Sequence, residues 1–206
     1  MRSHSRLRRP TYLWLDGRER PRRVQQASGD NPRFGRAGEI IFRVGERDSE
    51  NLYRIREDGT GREKISQVAG TVFGTASPDG NWLSGMGLTE RELTLYSTAG
   101  QAPRPLLPSA QASRLRWSLD GQRSYLSIQY GQGSAFAAGQ TYVLPLALGT
   151  VLPAVPPGGF RTEAELAAVP GVQILPHGDV ALGPTPSVYA YSRVTTTRNL
   201  YRIPLQ

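Results

Sequence analysis

Residues 74–85 read GTASPDGNWLSG. Two short apolar runs flank Ser77-Pro78-Asp79-Gly80, and an Asp-Gly pair between such runs is a strong hairpin signal. The plan recurs at residues 114–128, RLRWSLDGQRSYLSI, where Ser118-Leu119-Asp120-Gly121 takes the turn position. Residues 32–44, PRFGRAGEIIFRV, offer Arg36-Ala37-Gly38 at the same place. The three glycines, Gly38, Gly80 and Gly121, are 42 and 41 residues apart, and their register puts Phe34, Ala76 and Trp117 at one position just before the turn.

A second glycine series has the same step. Gly17 ends YLWLDG, Gly59 ends LYRIREDG and Gly100 ends LTLYSTAG. Two turn series with one period of about 42 indicate a repeat, and short strands at that period are the signature of four-stranded propeller blades. The expected fold class is all-β, a β-propeller, with three fuller blades between partial terminal ones. Strands A to D are predicted as PRF, EIIFRV, NLYRIR and REKIS in one blade (about 28–66). VFGTA, WLSGM, LTLYS and RPLLP form the next (69–108). RLRWS, RSYLSI and TYVLPL, with a D strand near Val151, form the third (111–152).

The pentapeptide NLYRI occurs at 51–55 and again at 199–203. In the first copy it is a C strand, with Leu52 and Ile55 or Tyr53 turned to neighbouring blades. Three blades would separate the copies by roughly 125 residues at about 42 per blade, so an excess of about 20 must lie between them. Pro153 to Gly171, PAVPPGGFRTEAELAAVPG, fits no strand pattern and supplies it. Thr162 and Glu165 form a T-x-x-E capping box, and Pro170-Gly171 ends the short helix expected at Thr162 to Ala168. Residues 172–206 then form a last blade, in which VQILP and SVYAYSRV resume strands and the second NLYRI is the final C strand. At the other end, residues 10–25 are a blade remnant that begins with a C strand, TYLWL.

Composition narrows the chemistry. There is no cysteine, which removes disulfides and thiolate metal sites. No apolar run is long enough to span a membrane, and no apolar signal-peptide core follows the basic start, so the chain as written reads as cytoplasmic. Eight arginines against Asp16 and Glu19 give residues 1–23 a charge of +6, out of +8 for the chain. The basic character therefore belongs to the arm 1–9 and its neighbourhood. That arm lacks interleaved aromatics, and nucleic acid is not the expected partner. His4 and His177 have no convergent partners at ligand spacing, and no metal or other cofactor is expected. His177 with Asp179 would be the one conceivable acid–base pair. No G-x-S-x-G elbow, glycine-rich nucleotide loop, H-R-D or D-F-G is present, so no catalytic residue is assigned.

Polar residues mark a rim instead. Glu46, Arg47 and Asp48 fall in one B–C loop, and Glu90 and Arg91 in the equivalent loop of the next blade. Such loops lie together on one propeller face, where binding commonly occurs. Arg47 and Arg91 are therefore expected on the same face. Arg114 and Arg116 alternate with Leu115 and Trp117 on an inner strand. There they either meet an anion or partner carboxylate or bridge to a neighbouring loop.

The pattern S-P-D-G, an apolar strand, then N-L-Y-x-x-x-x-D-G resembles the TolB-type (WD40-like, PD40) propeller repeat, over roughly residues 11–206. The tail, residues 156–205, resembles the end of propeller regions fused to bacterial serine/threonine kinases and transcriptional regulators. This kinship implies a non-catalytic module for protein or small-ligand contacts, the sensory or scaffold part of a signalling protein, with any kinase or DNA-binding activity lying in other sequence. The alternatives are a propeller that screens substrate for an absent serine peptidase domain, or a TolB-like envelope component. Related propellers close with six to eight blades. A chain that starts and stops at C strands is expected to form an open arc that self-associates through its blade edges.

Overall fold

The structure, a computed structural model, describes residues 10–13, 22–46, 49–68, 71–87, 92–107, 113–118, 120–130, 138–185 and 187–191. Within them the fold is all-β, with one short helix. Strands β1 (Pro10–Leu13) and β2 (Arg22–Ser28) form an antiparallel pair. Then come β3 (Asp30–Phe34), β4 (Glu39–Glu46), β5 (Ser49–Arg56) and β6 (Glu63–Val68), a four-stranded sheet in chain order. A second such sheet contains β7 (Thr71–Ala76), β8 (Trp82–Gly87), β9 (Leu93–Ser97) and β10 (Arg104–Leu107). The third begins with β11 (Ser113–Trp117), β12 (Arg123–Tyr130) and β13 (Ala138–Pro145). All ladders are antiparallel, and the first strands β3, β7 and β11 are neighbours, as the inner strands of propeller blades are.

The turn chemistry explains why these hairpins form where the glycines stand. Gly38, Gly80 and Gly121 all have φ between +68° and +77°, and Gly59 and Gly100 have +87° and +80°. In the S-x-D-G turns the side chains close the loop. Ser77 Oγ donates to Asp79 at 2.5 Å and accepts from the Trp82 N–H at 3.0 Å, while Asp79 accepts the Asn81 N–H at 3.0 Å. Ser118, Asp120, Gln122 and Arg123 repeat the same three bonds at 2.5, 3.0 and 3.0 Å. The first blade, with no Ser or Asp there, closes its turn through the backbone, Gly35 N–H to Glu39 O at 3.0 Å.

Period-2 alternation sends each strand's side chains to two different blades. Ile40, Phe42, Val44 and Ile55 pack with Val24 and Ala27 of β2, and Tyr53 packs beside them. Ile41, Leu52 and Val68 turn the other way, onto Phe73 and Leu83 of the second blade. The first NLYRI is thus the third strand of its blade, with Leu52 facing forward and Tyr53 and Ile55 facing back. The second copy lies outside the described residues.

Two features differ from the sequence expectation. No strand forms near Val151. The outer strand of the third blade is β14 (Gln173–Leu175), which pairs with β13 after the insertion. VQILP therefore completes the third blade instead of opening the last one. Strands β15 (Val180–Leu182) and β16 (Tyr189–Tyr191) make the following hairpin. An antiparallel edge strand can be delivered from a distant part of the chain, because loop-closure entropy grows only slowly with length.

The insertion is also no surface linker. Phe160 is 2% exposed and Leu166 0%, both inside the cluster that Trp82, Leu93, Leu95 and Leu106 share with Leu115, Trp117, Leu126 and Leu144. The Phe160 N–H donates to Leu106 O at 2.9 Å, against the outer strand of the second blade, and Trp117 Nε1 donates to Val151 O at 2.7 Å. Covering β10 in this way removes an open strand edge. Helix α1 (Glu163–Ala167) holds Leu166 in place. Its cap is as expected at Thr162, whose side chain accepts the Glu165 N–H at 3.2 Å, but the Glu165 carboxylate accepts the Arg161 N–H, one residue beyond the Thr162 N–H of a full capping box.

Candidate functional site

Successive blades are joined at their inner strands by a repeated contact. Arg33 on β3, Thr75 on β7 and Arg116 on β11 occupy one position in the glycine register, directly before Phe34, Ala76 and Trp117. Each donates to a backbone carbonyl of the next inner strand. Arg33 Nε reaches Gly74 O at 2.5 Å, Thr75 Oγ1 reaches Leu115 O at 3.2 Å, and Arg116 Nη1 reaches Val180 O at 2.6 Å. The acceptors Gly74 and Leu115 stand directly before the donors of their own strands. Val180 shows that β15 takes the inner position of a fourth blade.

Between β7 and β11 this arrangement leaves a cleft of about 350 Å³. Arg33, Arg114 and Arg116 line it, with Thr75, Ser84, Val72, Met86 and Leu115 among the walls. Arg116 Nη2 pairs with Asp179 at 3.0 Å, and Arg114 Nη1 approaches the same carboxylate at 3.4 Å. Both arginines therefore bridge to the segment before β15, the second of the two roles expected for them. Arg114 remains the more open, at 58% side-chain exposure against 30% for Arg116. Arg33 also donates from Nη2 to Phe73 O at 2.9 Å and from Nη1 to Pro32 O at 2.8 Å. Burial pulls its guanidinium below the ordinary arginine range.

Of the loop residues, Glu46 ends β4 exposed and accepts the Tyr53 hydroxyl at 2.7 Å. Arg47, Asp48, Glu90 and Arg91 lie outside the described residues. Strands β4 and β8 are the second strands of adjacent blades, β4 ending beside the start of β3 and β8 opposite the start of β7. His177 and Asp179 do not form a pair. The His177 ring stacks on Tyr191, centroids 3.5 Å apart and planes 10° apart, while Asp179 faces the two arginines.

Two residues of this region were not singled out from the sequence. Arg33 could have been, since it shares a register position with Arg116. Arg43, 14% exposed, binds Asp30 through Nε at 2.7 Å and Nη2 at 3.1 Å, and its Nη1 meets Glu50 at 3.2 Å and Thr71 O at 2.8 Å. The hydrogen bond to Asp30 holds its guanidinium above its usual value despite burial. Asp30 and Arg43 face each other across the β3–β4 ladder, a pairing that becomes visible only once the register is known. Among the described residues no cluster of His, Asp or Glu could hold a metal ion, and no helix is long and apolar enough to cross a membrane.

Four-stranded antiparallel sheets joined at their inner strands define a β-propeller arrangement, with three complete blades and two flanking two-stranded sheets among the described residues. No family model and no curated protein matches the chain. Among solved structures it is similar to TolB from Acinetobacter baumannii, with 13% sequence identity and a TM-score of 0.50. The likeness covers 74% of this chain and 40% of that one, so the chain matches about two fifths of the TolB structure. At that identity the likeness establishes a TolB-like propeller fold and nothing of chemistry.

Proposed function

We propose that this chain is a non-catalytic propeller module that holds a protein partner or small ligand on the face where its B–C loops emerge, as the sensory or scaffold part of a bacterial signalling protein. The observation that carries the reading is the arginine-lined cleft between β7 and β11. Concave sites with a few convergent polar groups are the default place for recognition. The reading as non-catalytic rests on the sequence, which carries no nucleophile elbow and no kinase signature.

The test is selection of ligands from a displayed random-peptide library and a metabolite library, followed by the charge reversal Arg114→Glu. Ligands that lose binding on reversal, and that come back chemically unchanged after incubation with stoichiometric protein, support the proposal. Selected ligands indifferent to the reversal, or converted to product, refute it. The likeness to TolB favours one second reading, a TolB-like envelope component. An export signal encoded upstream in the same reading frame would decide for it.

A further inference from the structure

We infer that the cleft between β7 and β11 is a binding site for a small organic carboxylate with an apolar body. The inference rests on the proposed role of this face in recognition and names the class of ligand.

Charge comes first. Three guanidiniums, Arg33, Arg114 and Arg116, line the cleft, and among the described residues no acidic one does. Among the described residues Asp179 is the single carboxylate in contact with any of them, and it serves both Arg114 and Arg116. Arg33 meets only the carbonyl oxygens of Pro32, Phe73 and Gly74. A partly buried cation whose partners are all neutral lacks a counter-charge, and the lowered pKa of Arg33 reports that cost. An entering carboxylate supplies the missing charge. It can accept from the guanidinium N–H groups that the carbonyls leave unused, since arginine carries five donors.

The walls set the rest of the ligand. Val72 and the half-buried Met86 present apolar surface beside the cationic groups, with Phe73, Leu93 and Leu115 buried behind them. Val72 is a large apolar residue that stays 44% exposed on an otherwise well-packed blade. The neutral hydroxyls of Thr75 and Ser84 both donate to Leu115 O. A volume of about 350 Å³ admits a compact molecule of roughly ten heavy atoms and lies at the low end of small-molecule sites. Inorganic phosphate fits this surface poorly, because it has no apolar body to cover the walls.

Amide chemical-shift titrations of the whole chain with phenylacetate, its neutral isostere phenylacetamide and inorganic phosphate test the site. Phenylacetate should bind saturably and shift amides of β7 and β11. Phenylacetamide and phosphate should bind about tenfold more weakly or not at all. Arg114→Gln, an exposed position, should weaken phenylacetate about tenfold with the melting temperature unchanged. Val72→Trp should fill the cleft and abolish the shifts, its fold verified by the same spectra. Equal binding of acid and amide, binding by phosphate alone, or phenylacetate binding that survives Arg114→Gln overturns the inference. Should phenylacetate fail while selected peptides still depend on Arg114, the ligand class falls and the proposed face stands. If no ligand depends on Arg114, both fall.

Discussion

Phe160→Ala tests whether the insertion belongs to the core. The side chain is 2% exposed and sits among Trp82, Leu95, Leu106, Trp117 and Leu144, drawn from two blades. Truncating a buried phenylalanine costs about 3–5 kcal/mol, the lost transfer free energy plus the cavity left behind. The backbone bond from the Phe160 N–H to Leu106 O survives the substitution, so the loss reports side-chain packing alone. Against a total stability of about 5–15 kcal/mol, the cost is a large fraction of what holds the domain together. Leu166→Ala, at 0% exposure, should cost about 2–5 kcal/mol. A five-residue helix has no stability of its own, so α1 persists only through this burial and its cap. Urea unfolding followed by tryptophan fluorescence is the assay, because Trp82 and Trp117 lie in the same cluster. The two losses should be non-additive, since the residues belong to one core cluster. A loss below about 1 kcal/mol for Phe160→Ala would show that the insertion is an appendage and that the two blades pack without it.

Further outcomes are expected elsewhere in the molecule. Gly80→Ala should cost more than about 2 kcal/mol, because φ is +68° and a Cβ would stand 2.6 Å from Arg36 Cα and Gly35 C. Gly100→Ala, at φ +80° in open space, should cost only about 1–2 kcal/mol in the same urea experiment. Arg116→Met should lower stability by about 1–3 kcal/mol through the lost bonds to Val180 O and Asp179, whereas Arg114→Met should change it by less than about 0.5 kcal/mol. Asp120 is held below its ordinary pKa by the Ser118 hydroxyl and then the Gln122 N–H. Asp79 ends below its own although desolvation, the largest influence, opposes the bonds from Ser77 and Asn81. A depressed carboxylate pKa stabilises the fold above the unfolded value of about 3.9, and that stability is lost as pH falls through the folded value. The melting-temperature gap between the native chain and Asp79→Asn or Asp120→Asn should accordingly be full at pH 6 and close toward pH 2. A gap that widens in acid would refute the assignment.

The blades were legible in the sequence because their turns are local chemistry. A glycine forced to positive φ, a serine and an aspartate that close the loop by their own side chains, and strands of alternating pattern need no distant partner to be recognised. Strands β3 to β13 consequently stand close to where the two glycine series put them, and the capping box located α1. Pattern alone could not say which sheet an edge strand joins. Residues 172–176 carry only a short apolar run, and their place beside β13 depends on an insertion that folds back between two blades. The site divides the same way. Arg114 and Arg116 stood out by their alternation with Leu115 and Trp117, but their common partner Asp179 lies 65 and 63 residues away. Arg33 was marked only by sharing a register position with Arg116, and Arg43 was silent in one dimension, because an arginine becomes an inter-blade tie only when the next strand presents its carbonyls at the right height. The sequence by itself determined the repeated hairpin, whose energetics are confined to a few neighbouring residues. Tertiary structure alone decided the order of the outer strands, the burial of the insertion and the charges that meet at the cleft, because those depend on surfaces that exist only after the blades have packed.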